Sequence, residues 1–171
     1  KGLDSGIWTV FNEKGEKLNE FSYEEEFRQD GSLFKRAELK NGIKTGLLET
    51  YHELGFLNKI ENWSNDNLHG SYQQFFSNGK VKKKGHFLNG KKSGVWEAYS
   101  ELGFLLKKIN WVDDKLHGVY QEFWPNGKIK KKGCFFYGEK TGCWEKFTEL
   151  GVLIERENWA NNKQNGIYEE Y

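Results

Sequence analysis

The sequence GVYQEFWPNGKIKKKGCFFYGEKT, residues 118–141, decides the fold because its pattern recurs along the chain every 24 residues. A glycine opens each copy, and a second glycine follows nine residues later. The opening glycines are Gly46, Gly70, Gly94, Gly118, Gly142 and Gly166, and the inner ones are Gly55, Gly79, Gly103, Gly127 and Gly151. Two glycine series that stay in phase at a fixed spacing are typical of a repeat protein.

Each copy predicts a β-hairpin. Its first run reads Gly-x-aromatic-x-x-aromatic, and an Asn-Gly pair such as Asn78-Gly79 marks the turn, since both residue types tolerate a positive φ. In the run that follows, one parity has apolar ends, Val81 and Phe87, whereas the other parity is polar throughout, with Lys82, Lys84 and His86. A period of two indicates a strand, and no stretch of the chain shows the apolar period of a helix.

Short turns between consecutive strands predict that each strand pairs antiparallel with its neighbours. The expected fold is therefore all-β: one elongated antiparallel meander of about fifteen strands, built from stacked hairpins and twisted or rolled as long sheets are. We expect residues 1–171 to form a single array with irregular units in 6–45. The regular units are 46–69, 70–93, 94–117, 118–141 and 142–165, followed by the half unit 166–171.

Aromatic residues recur at equivalent places in the copies, which predicts ladders of rings that bury large areas on a single sheet. The three expected ladders are Trp96, Tyr120, Trp144 and Tyr168; Tyr99, Phe123, Phe147 and Tyr171; and Trp63, Phe87, Trp111, Phe135 and Trp159. A longer period of 48 residues is also visible, because units with Glu-Leu-Gly alternate with units that carry Asn-Gly-Lys and a run of lysines. Alternate hairpins should thus present different surfaces.

Composition excludes several classes of protein. Aromatic residues make up 16% of the chain, which argues against disorder. The formal net charge is +1, so no global field favours nucleic acid, and no apolar run approaches the roughly 18 residues of a membrane span. The chain contains no Met, which indicates a processed form or a fragment and leaves a removed targeting segment open.

The sequence predicts no catalytic, cofactor or metal site. His69 and His117 recur at one repeat position before a glycine, which favours a role in turns, and a distance of ~19 Å would keep them from sharing an ion. Cys134 and Cys143 are expected on one face of adjacent strands and nearly opposite each other. Either a cross-strand disulfide or two free thiols fit that placement.

Residues 75–80, FFSNGK, and residues 85–94, GHFLNGKKSG, resemble the MORN repeat in its bacterial second type. The resemblance covers residues 46–171 well and 6–45 loosely. It implies stacked hairpins in an elongated, twisted sheet. It further implies a non-enzymatic role: members of this bacterial type include antitoxin-like or immunity-like proteins and arrays in cell-envelope or secreted proteins. MORN repeats elsewhere have been linked to protein scaffolding and to phospholipid membranes.

Two surfaces are candidates for partner binding. Aromatic residues outside the main ladder positions form the candidate partner surface: Phe76, Trp124, Phe56, Phe104, Phe136 and Tyr137. Lysines at one parity form a candidate basic stripe for acidic lipid or an acidic protein: Lys82, Lys84, Lys130 and Lys132. The competing interpretation of the stripe is cross-strand ion pairing, of Lys84 with Glu97 and of Lys132 with Glu145.

The sequence thus predicts a non-enzymatic scaffold for protein–protein interaction, of the antitoxin or immunity type or in the cell envelope. Association with a phospholipid surface through the lysine stripe is the alternative. Expected partners are another protein and, less favoured, a membrane, with no nucleic acid. The C-terminal edge strand offers a route to self-association. The compartment stays open between the bacterial cytoplasm and the envelope or exterior.

Overall fold

The computed structural model describes residues 6–166 and 168–170. These residues form one antiparallel sheet of 15 strands and include no helix, so none that could span a membrane. In chain order the strands are β1 (Trp8–Phe11), β2 (Lys17–Phe27), β3 (Leu33–Lys40), β4 (Ile43–Tyr51), β5 (Leu57–Ser64), β6 (Asn67–Phe75), β7 (Val81–Leu88), β8 (Lys91–Tyr99), β9 (Leu105–Val112), β10 (Lys115–Phe123), β11 (Ile129–Phe136), β12 (Glu139–Phe147), β13 (Leu153–Ala160), β14 (Lys163–Gln164) and β15 (Glu169–Glu170). Strands β1 to β14 pair in sequence order, and β15 also pairs with β13. The predicted meander is confirmed.

Two kinds of turn occupy the two long edges of the sheet. At one edge, two-residue turns place both residues at positive φ, as in Asn65 (50°) and Asp66 (58°), which matches the right-handed twist of the strands. At the other edge, five-residue turns close with a bond from the Gly79 N–H to the Phe76 carbonyl oxygen (3.0 Å). Gly79 has φ 77°, so the inner glycine series exists because these turns need a left-handed residue.

The sheet has an aromatic face and a charged face, because side chains alternate along each strand. Directly opposed residues on the aromatic face form one row: Leu48, Glu61, Tyr72, Gly85, Trp96, Ile109, Tyr120, Gly133, Trp144 and Glu157. The buried apolar side chains of the described residues are Ala37, Leu48, Trp96 and Trp144, and Ala37 stands opposite Leu48. The core of this protein is therefore a line across the strands, with no second layer above it.

The charged face carries a parallel row in which the signs alternate over three stretches, separated by the neutral residues Ile60, Gln73 and Gln121. Its members are Glu25, Arg36, Glu49, Ile60, Gln73, Lys84, Glu97, Lys108, Gln121, Lys132, Glu145, Arg156 and Glu169. The Lys84–Glu97 pair measures 3.0 Å and the Lys132–Glu145 pair 2.8 Å, so the predicted cross-strand ion pairs are present. Opposite charges on neighbouring strands stabilise such a pairing by roughly 0.2–1 kcal/mol each.

The rings do not form the continuous ladders that the repeat pattern predicts. They form two separate clusters, one of Tyr72, Phe87 and Trp96 and one of Tyr120, Phe135 and Trp144. Ile109 stands between Trp96 and Tyr120 in the aromatic row, and no ring contact among the described residues joins the two clusters. Tyr171, expected to end one ladder, lies outside the described residues.

The two cysteines are free thiols on the charged face and both are exposed. Their predicted placement opposite each other is wrong, because Cys134 pairs with Thr141 and Cys143 pairs with Asn158. A register shift between β11 and β12 causes the difference. Gly133 lets the Trp144 side chain fold across it, and the ladder between the two strands is interrupted there.

Candidate interaction face

The aromatic face is built around two tryptophans that lie flat on glycines. The Trp96 ring covers Gly85, where any Cβ would overlap the indole carbons, and its Nε1–H donates to the His86 carbonyl oxygen at 3.1 Å. Tyr72 and Phe87 pack against the same indole with centroid distances of 5.2 and 5.0 Å. Only 3% of Trp96 is exposed. Glycine is thus what allows a single sheet to bury an indole.

The Trp144 cluster repeats this arrangement 48 residues later. Trp144 covers Gly133, is 2% exposed, and lies 5.4 Å from the ring of Tyr120 and 5.0 Å from that of Phe135. Because Trp96 lies on β8 and Trp144 on β12, four strand steps of ~4.8 Å separate them, or about 19 Å. The face therefore presents two equivalent clusters at a regular distance.

Each buried tryptophan lies between two lysines. The ammonium groups of Lys83 and Lys92 lie 5.2 and 5.3 Å from the Trp96 ring centre. Those of Lys131 and Lys140 lie 5.3 and 4.8 Å from the Trp144 ring centre. We name each set a lysine clamp: the first clamp is Lys83, Trp96 and Lys92, and the second is Lys131, Trp144 and Lys140.

The clamp lysines also reach the next tryptophan along the face. Lys92 lies 4.6 Å from the ring of Trp111, and Lys140 lies 4.2 Å from the ring of Trp159. Cations over indole faces gain about 0.5–2 kcal/mol from the ring quadrupole, which holds these long side chains in place. The two ammonium groups of each clamp are consequently held over the apolar surface of an indole ring.

The clamps concentrate like charge. Burial lowers the pKa of Lys83, and the neighbouring charge of Lys92 lowers it further. Burial likewise lowers the pKa of Lys131, and the neighbouring charges of Lys140 and Lys146 lower it further, whereas Glu157 and Glu122, the latter directly opposite Lys131 on β10, raise it. Within the part of the chain that the structure describes, no carboxylate forms an ion pair with any of the four clamp lysines. Each clamp thus holds two ammonium groups that form no ion pair with the residues that the structure describes.

The units that alternate with the clamp units carry an ion pair at the clamp position. Lys59 and Lys107 occupy the positions equivalent to Lys83 and Lys131, and each forms an ion pair at 3.0 Å, with Glu61 and with Glu122 respectively. Leu68 and Leu116 replace the second lysine of the clamp in these units. Between residues 59 and 131, lysines that a glutamate neutralises therefore alternate with lysines that form no ion pair, whereas Lys35, one 48-residue period before Lys83, pairs with Glu26.

Open grooves lie beside the clamps. One groove, of about 370 Å³, is lined by Gln74, Phe76, Lys82, Lys83, Trp96, Glu97, Ala98, Tyr99, Lys107, Ile109 and Trp111. Its counterpart beside the second clamp, of about 380 Å³, is lined by Glu122, Trp124, Lys130, Lys131, Lys146, Phe147 and Ile154. Glu97 also lines the first groove, but its side chain belongs to the charged row, where Lys84 at 3.0 Å and Lys108 at 3.8 Å pair with its carboxylate.

Two of the predicted partner residues line these grooves. Phe76 and Trp124 are equivalent and both are half-buried, with Lys82 5.5 Å from the Phe76 ring and Lys130 4.5 Å from the Trp124 ring. The Trp124 Nε1–H donates to the Phe147 carbonyl oxygen at 3.0 Å, which fixes the indole at the groove wall. The structure thus places these two aromatics beside the clamps.

The other four predicted partner residues lie elsewhere. Phe56 stacks on His52 in a five-residue turn, and Phe104 is exposed in the equivalent turn 48 residues later. Phe136 and Tyr137 are 61% and 51% exposed at the opposite edge. His117 packs against that pair, with centroid distances of 5.3 Å to Phe136 and 4.6 Å to Tyr137. The six aromatics therefore occupy three separate places.

The four lysines of the predicted basic stripe are not equivalent in the structure. Lys84 and Lys132 belong to the charged row, where Glu97 and Glu145 neutralise them. Lys82 and Lys130 instead lie over the rings of Phe76 and Trp124. The stripe is thus divided between ion pairs and the groove walls.

Sequence reasoning missed the clamp lysines because it treated Lys83 and Lys131 as part of one lysine run. Their parity was the available signal, since both share the parity of Val81 and Phe87 or of their copies. Lys92 and Lys140 lie in the opening segment of the next unit, where the 48-residue period repeats them. No sequence pattern indicated that a glycine would leave the space in which an indole lies between the two lysines.

Comparison with known proteins identifies the repeat itself. A family model described as the MORN repeat variant matches residues 68–89 and 116–136. No curated protein matches the chain. MORN repeats are generally protein-interaction or membrane-interaction repeats, and their all-β fold is typically a non-enzymatic scaffold. The two matched segments lie 48 residues apart and span β6–β7 and β10–β11, so the variant MORN repeat is detected at two places in the array.

Proposed function

We propose that this protein is a non-enzymatic β-repeat scaffold that binds another protein along its aromatic face. The observation that supports the proposal is the repetition, at four strand steps, of a groove with a half-buried aromatic wall, at Phe76 and at Trp124. Repeat arrays bind partners over extended surfaces, and aromatic side chains are the usual anchors of such interfaces. The charged face, whose ionised side chains largely pair with one another, offers fewer free groups.

The finer role that we propose is that of an antitoxin or immunity-type protein, or of a cell-envelope protein. The resemblance of residues 75–80 and 85–94 to the bacterial second type of MORN repeat supports this role. Both versions require a rigid surface that recognises one protein, which is the property that the stacked hairpins supply. A bacterial cytoplasmic partner would support the first version, and an envelope partner would support the second.

Association with a phospholipid surface is the second candidate, since MORN repeats include membrane-interaction repeats. Lys82 and Lys130, which form no ion pair among the described residues, would be its contacts. The neutralisation of Lys84 and Lys132 by their glutamates reduces the charge that the stripe could offer. We expect no flotation of the purified protein with anionic vesicles at low salt. Flotation that is lost when Lys82, Lys84, Lys130 and Lys132 are changed to Glu would favour the membrane role.

The experiment for protein binding uses the whole chain to capture its partner from the native host, followed by reassembly of the complex from purified components. The doubly substituted variant Phe76→Ala with Trp124→Ala should weaken binding by roughly thirtyfold or more, since buried anchors contribute 2 kcal/mol or more. The matched control is Val95→Ala with Val119→Ala, which removes two exposed apolar side chains from the charged face. Equal affinity of both variants, or failure to find a directly binding protein, would contradict the proposal.

A further inference from the structure

We propose that the two lysine clamps bind two carboxylates of one acidic, extended segment of the partner protein, which crosses the strands along the aromatic face. This inference rests on the proposed function, because it names the chemistry of the partner at the same face. The segment carries acidic residues about six positions apart. One carboxylate lies between Lys83 and Lys92, and the other lies between Lys131 and Lys140.

The ammonium groups of the clamp lysines have no ion-pair partner among the described residues. Lys83 and Lys92 lie over one indole, and the residues directly opposite Lys83 on the neighbouring strands are Gln74 and Ala98, which are neutral. Opposite Lys131 are Glu122, which pairs with Lys107, and Lys146, which pairs with Glu155. A carboxylate placed at each clamp would relieve the repulsion between its two ammonium groups, which are partly shielded from water.

At the equivalent positions of the alternate units, the chain itself pairs a lysine with a carboxylate. Lys59 and Lys107 occupy the clamp position in the alternate units, and each takes a glutamate of this chain as its partner at 3.0 Å. The same lysine position thus binds a carboxylate in both alternate units. At the clamps no carboxylate of the described residues forms that ion pair, so the ligand would come from another molecule.

The distance between the clamps sets the spacing of the two carboxylates. The clamps are four strand steps apart, about 19 Å, and an extended chain advances 3.2–3.4 Å per residue. Two carboxylates of an extended segment that runs across the strands would therefore match both clamps when they are about six residues apart. The grooves beside Phe76 and Trp124 would receive neighbouring side chains of the same segment.

A segment with separated carboxylates fits this face better than a membrane does. Glu157 lies on the aromatic face opposite Trp144 and forms no ion pair among the described residues, so a continuous anionic surface would be brought against its charge. Glu157 accepts a hydrogen bond from the Trp159 Nε1–H at 3.0 Å, which keeps its charge at the face beside the second clamp. Discrete acids, placed only where the clamps are, avoid that repulsion.

The direct test titrates the full chain with synthetic peptides and follows the indole Nε1–H signals by NMR. The probes are 15-residue peptides whose only charged groups are two aspartates placed six, four or two positions apart, and a fourth, uncharged peptide with two asparagines six positions apart. We expect the six-position peptide to bind about tenfold more tightly than the two-position peptide, because only it reaches both clamps at once. Shifts should appear at Trp96 and Trp144. Equal binding of all aspartate spacings, or binding of the asparagine peptide, would overturn the inference.

Two variants that lose the same number of charges supply the matched control. Lys83→Gln with Lys131→Gln removes one lysine from each clamp, whereas Lys84→Gln with Lys132→Gln removes the next lysines along the chain, which face the other side. We expect the first variant to lose about tenfold in affinity for the six-position peptide, since hydrogen bonds to charged groups contribute on that order, and the second to bind normally. Equal loss in both variants would overturn the inference. Lys83→Arg with Lys131→Arg, which keeps the charge, should retain binding if the clamps act through it.

The outcomes separate this inference from the function it rests on. A captured partner whose affinity falls in the Phe76 and Trp124 variant but is unchanged by Lys83→Gln with Lys131→Gln would overturn the acidic segment and leave the scaffold function intact. Binding of the six-position peptide without any captured protein would support the clamps and contradict the scaffold function. Vesicles with 30% phosphatidylserine provide the third arm, and clamp-dependent flotation would overturn the peptide segment in favour of lipid headgroups.

Discussion

At the scale of single residues, Gly85 and Gly133 have the largest effect on this structure for their size. Strand interiors usually disfavour glycine by roughly 0.5–1 kcal/mol relative to alanine. Here the missing Cβ leaves the space into which Trp96 and Trp144 fold, and those two indoles are the largest of the buried side chains among the described residues. Ile109 and Glu157 occupy the equivalent row positions in other units, where a side chain takes the place of the missing Cβ.

Gly133→Ala should therefore destabilise the protein by about 1–3 kcal/mol, because the added methyl group must displace the Trp144 ring. The same change in a Trp144→Leu background should be neutral or slightly stabilising, since the space is then free and alanine suits a strand better than glycine. Urea unfolding of the four proteins completes a double-mutant cycle. An equal cost of Gly133→Ala in both backgrounds would show that the backbone, and not the indole, demands glycine at position 133.

At the scale of strands, the alternating row on the charged face holds neighbours in register. Glu145 on β12 pairs with Lys132 on β11 at 2.8 Å and with Arg156 on β13 at 2.9 Å, so it connects three strands. The hydrogen bond from Lys132 lowers the pKa of Glu145 below its usual value near 4.5, burial opposes that shift, and Arg156 lowers the pKa further. A slip by one residue would bring every one of these charges to the aromatic face.

The pH dependence of stability tests this row. Because the pKa of Glu145 is depressed in the folded state, its contribution is fully present above the unfolded value near 4.5 and is lost as the pH falls through the folded value. We expect Glu145→Gln to lose about 0.5–1 kcal/mol at pH 7 and to show a shallower fall of stability between pH 5 and 3 in urea titrations.

Glu139→Gln is the control for that measurement. Glu139 begins the same strand, is exposed, and forms no ion pair with any residue that the structure describes. Its substitution should leave both the stability at pH 7 and the slope toward acid pH nearly unchanged. Identical pH profiles for the two variants would contradict a role for the charged row.

At the scale of the whole molecule, each hairpin contacts its sequence neighbours, and the 48-residue alternation specifies how neighbours meet. The Asn126 Nδ2–H donates to the Glu149 carbonyl oxygen at 2.8 Å, and the Lys128 Nζ–H donates to the Leu150 carbonyl oxygen at 2.8 Å. The copy one period earlier repeats both bonds, from Asn78 to Glu101 and from Lys80 to Leu102. An Asn-Gly-Lys turn therefore holds the Glu-Leu-Gly turn that follows it.

A duplicated array should respect that alternation. Inserting a second copy of residues 94–141 after position 141 keeps every turn beside its proper neighbour, so the protein should unfold at higher urea and lengthen by about 19 Å in X-ray scattering. Inserting only 118–141 places two Asn-Gly-Lys turns together and loses the bonds of Asn126 and Lys128 in one copy. That protein should be the less stable of the two. Equal or greater stability of the shorter insertion would show that the alternation is irrelevant to stacking.

Much of this structure could be predicted because it is local. The turn at Asn78-Gly79 and the alternation of residues 81–88 specify hairpins within one copy, and the pairing of Lys84 with Glu97 follows from counting back along two strands. The continuous ring ladders were wrong because equivalent positions do not guarantee contact. Ile109 and Gly85 hold the same place in the repeat, yet only glycine admits a neighbouring indole.

By itself, the sequence determined the strands and their order, because periodic glycines, two-residue turns and alternating side chains act over a few residues. The register shift that separates Cys134 from Cys143 came only with the tertiary structure, since it occurs where Trp144 folds across Gly133. Only the tertiary structure decided which lysines form an ion pair with a glutamate and which form none. The reason is that each arrangement depends on side chains from neighbouring strands. Lys83 and Lys84 are adjacent in the chain, but the alternation of a strand sends one to Trp96 and the other to Glu97. The candidate binding chemistry arises from that separation.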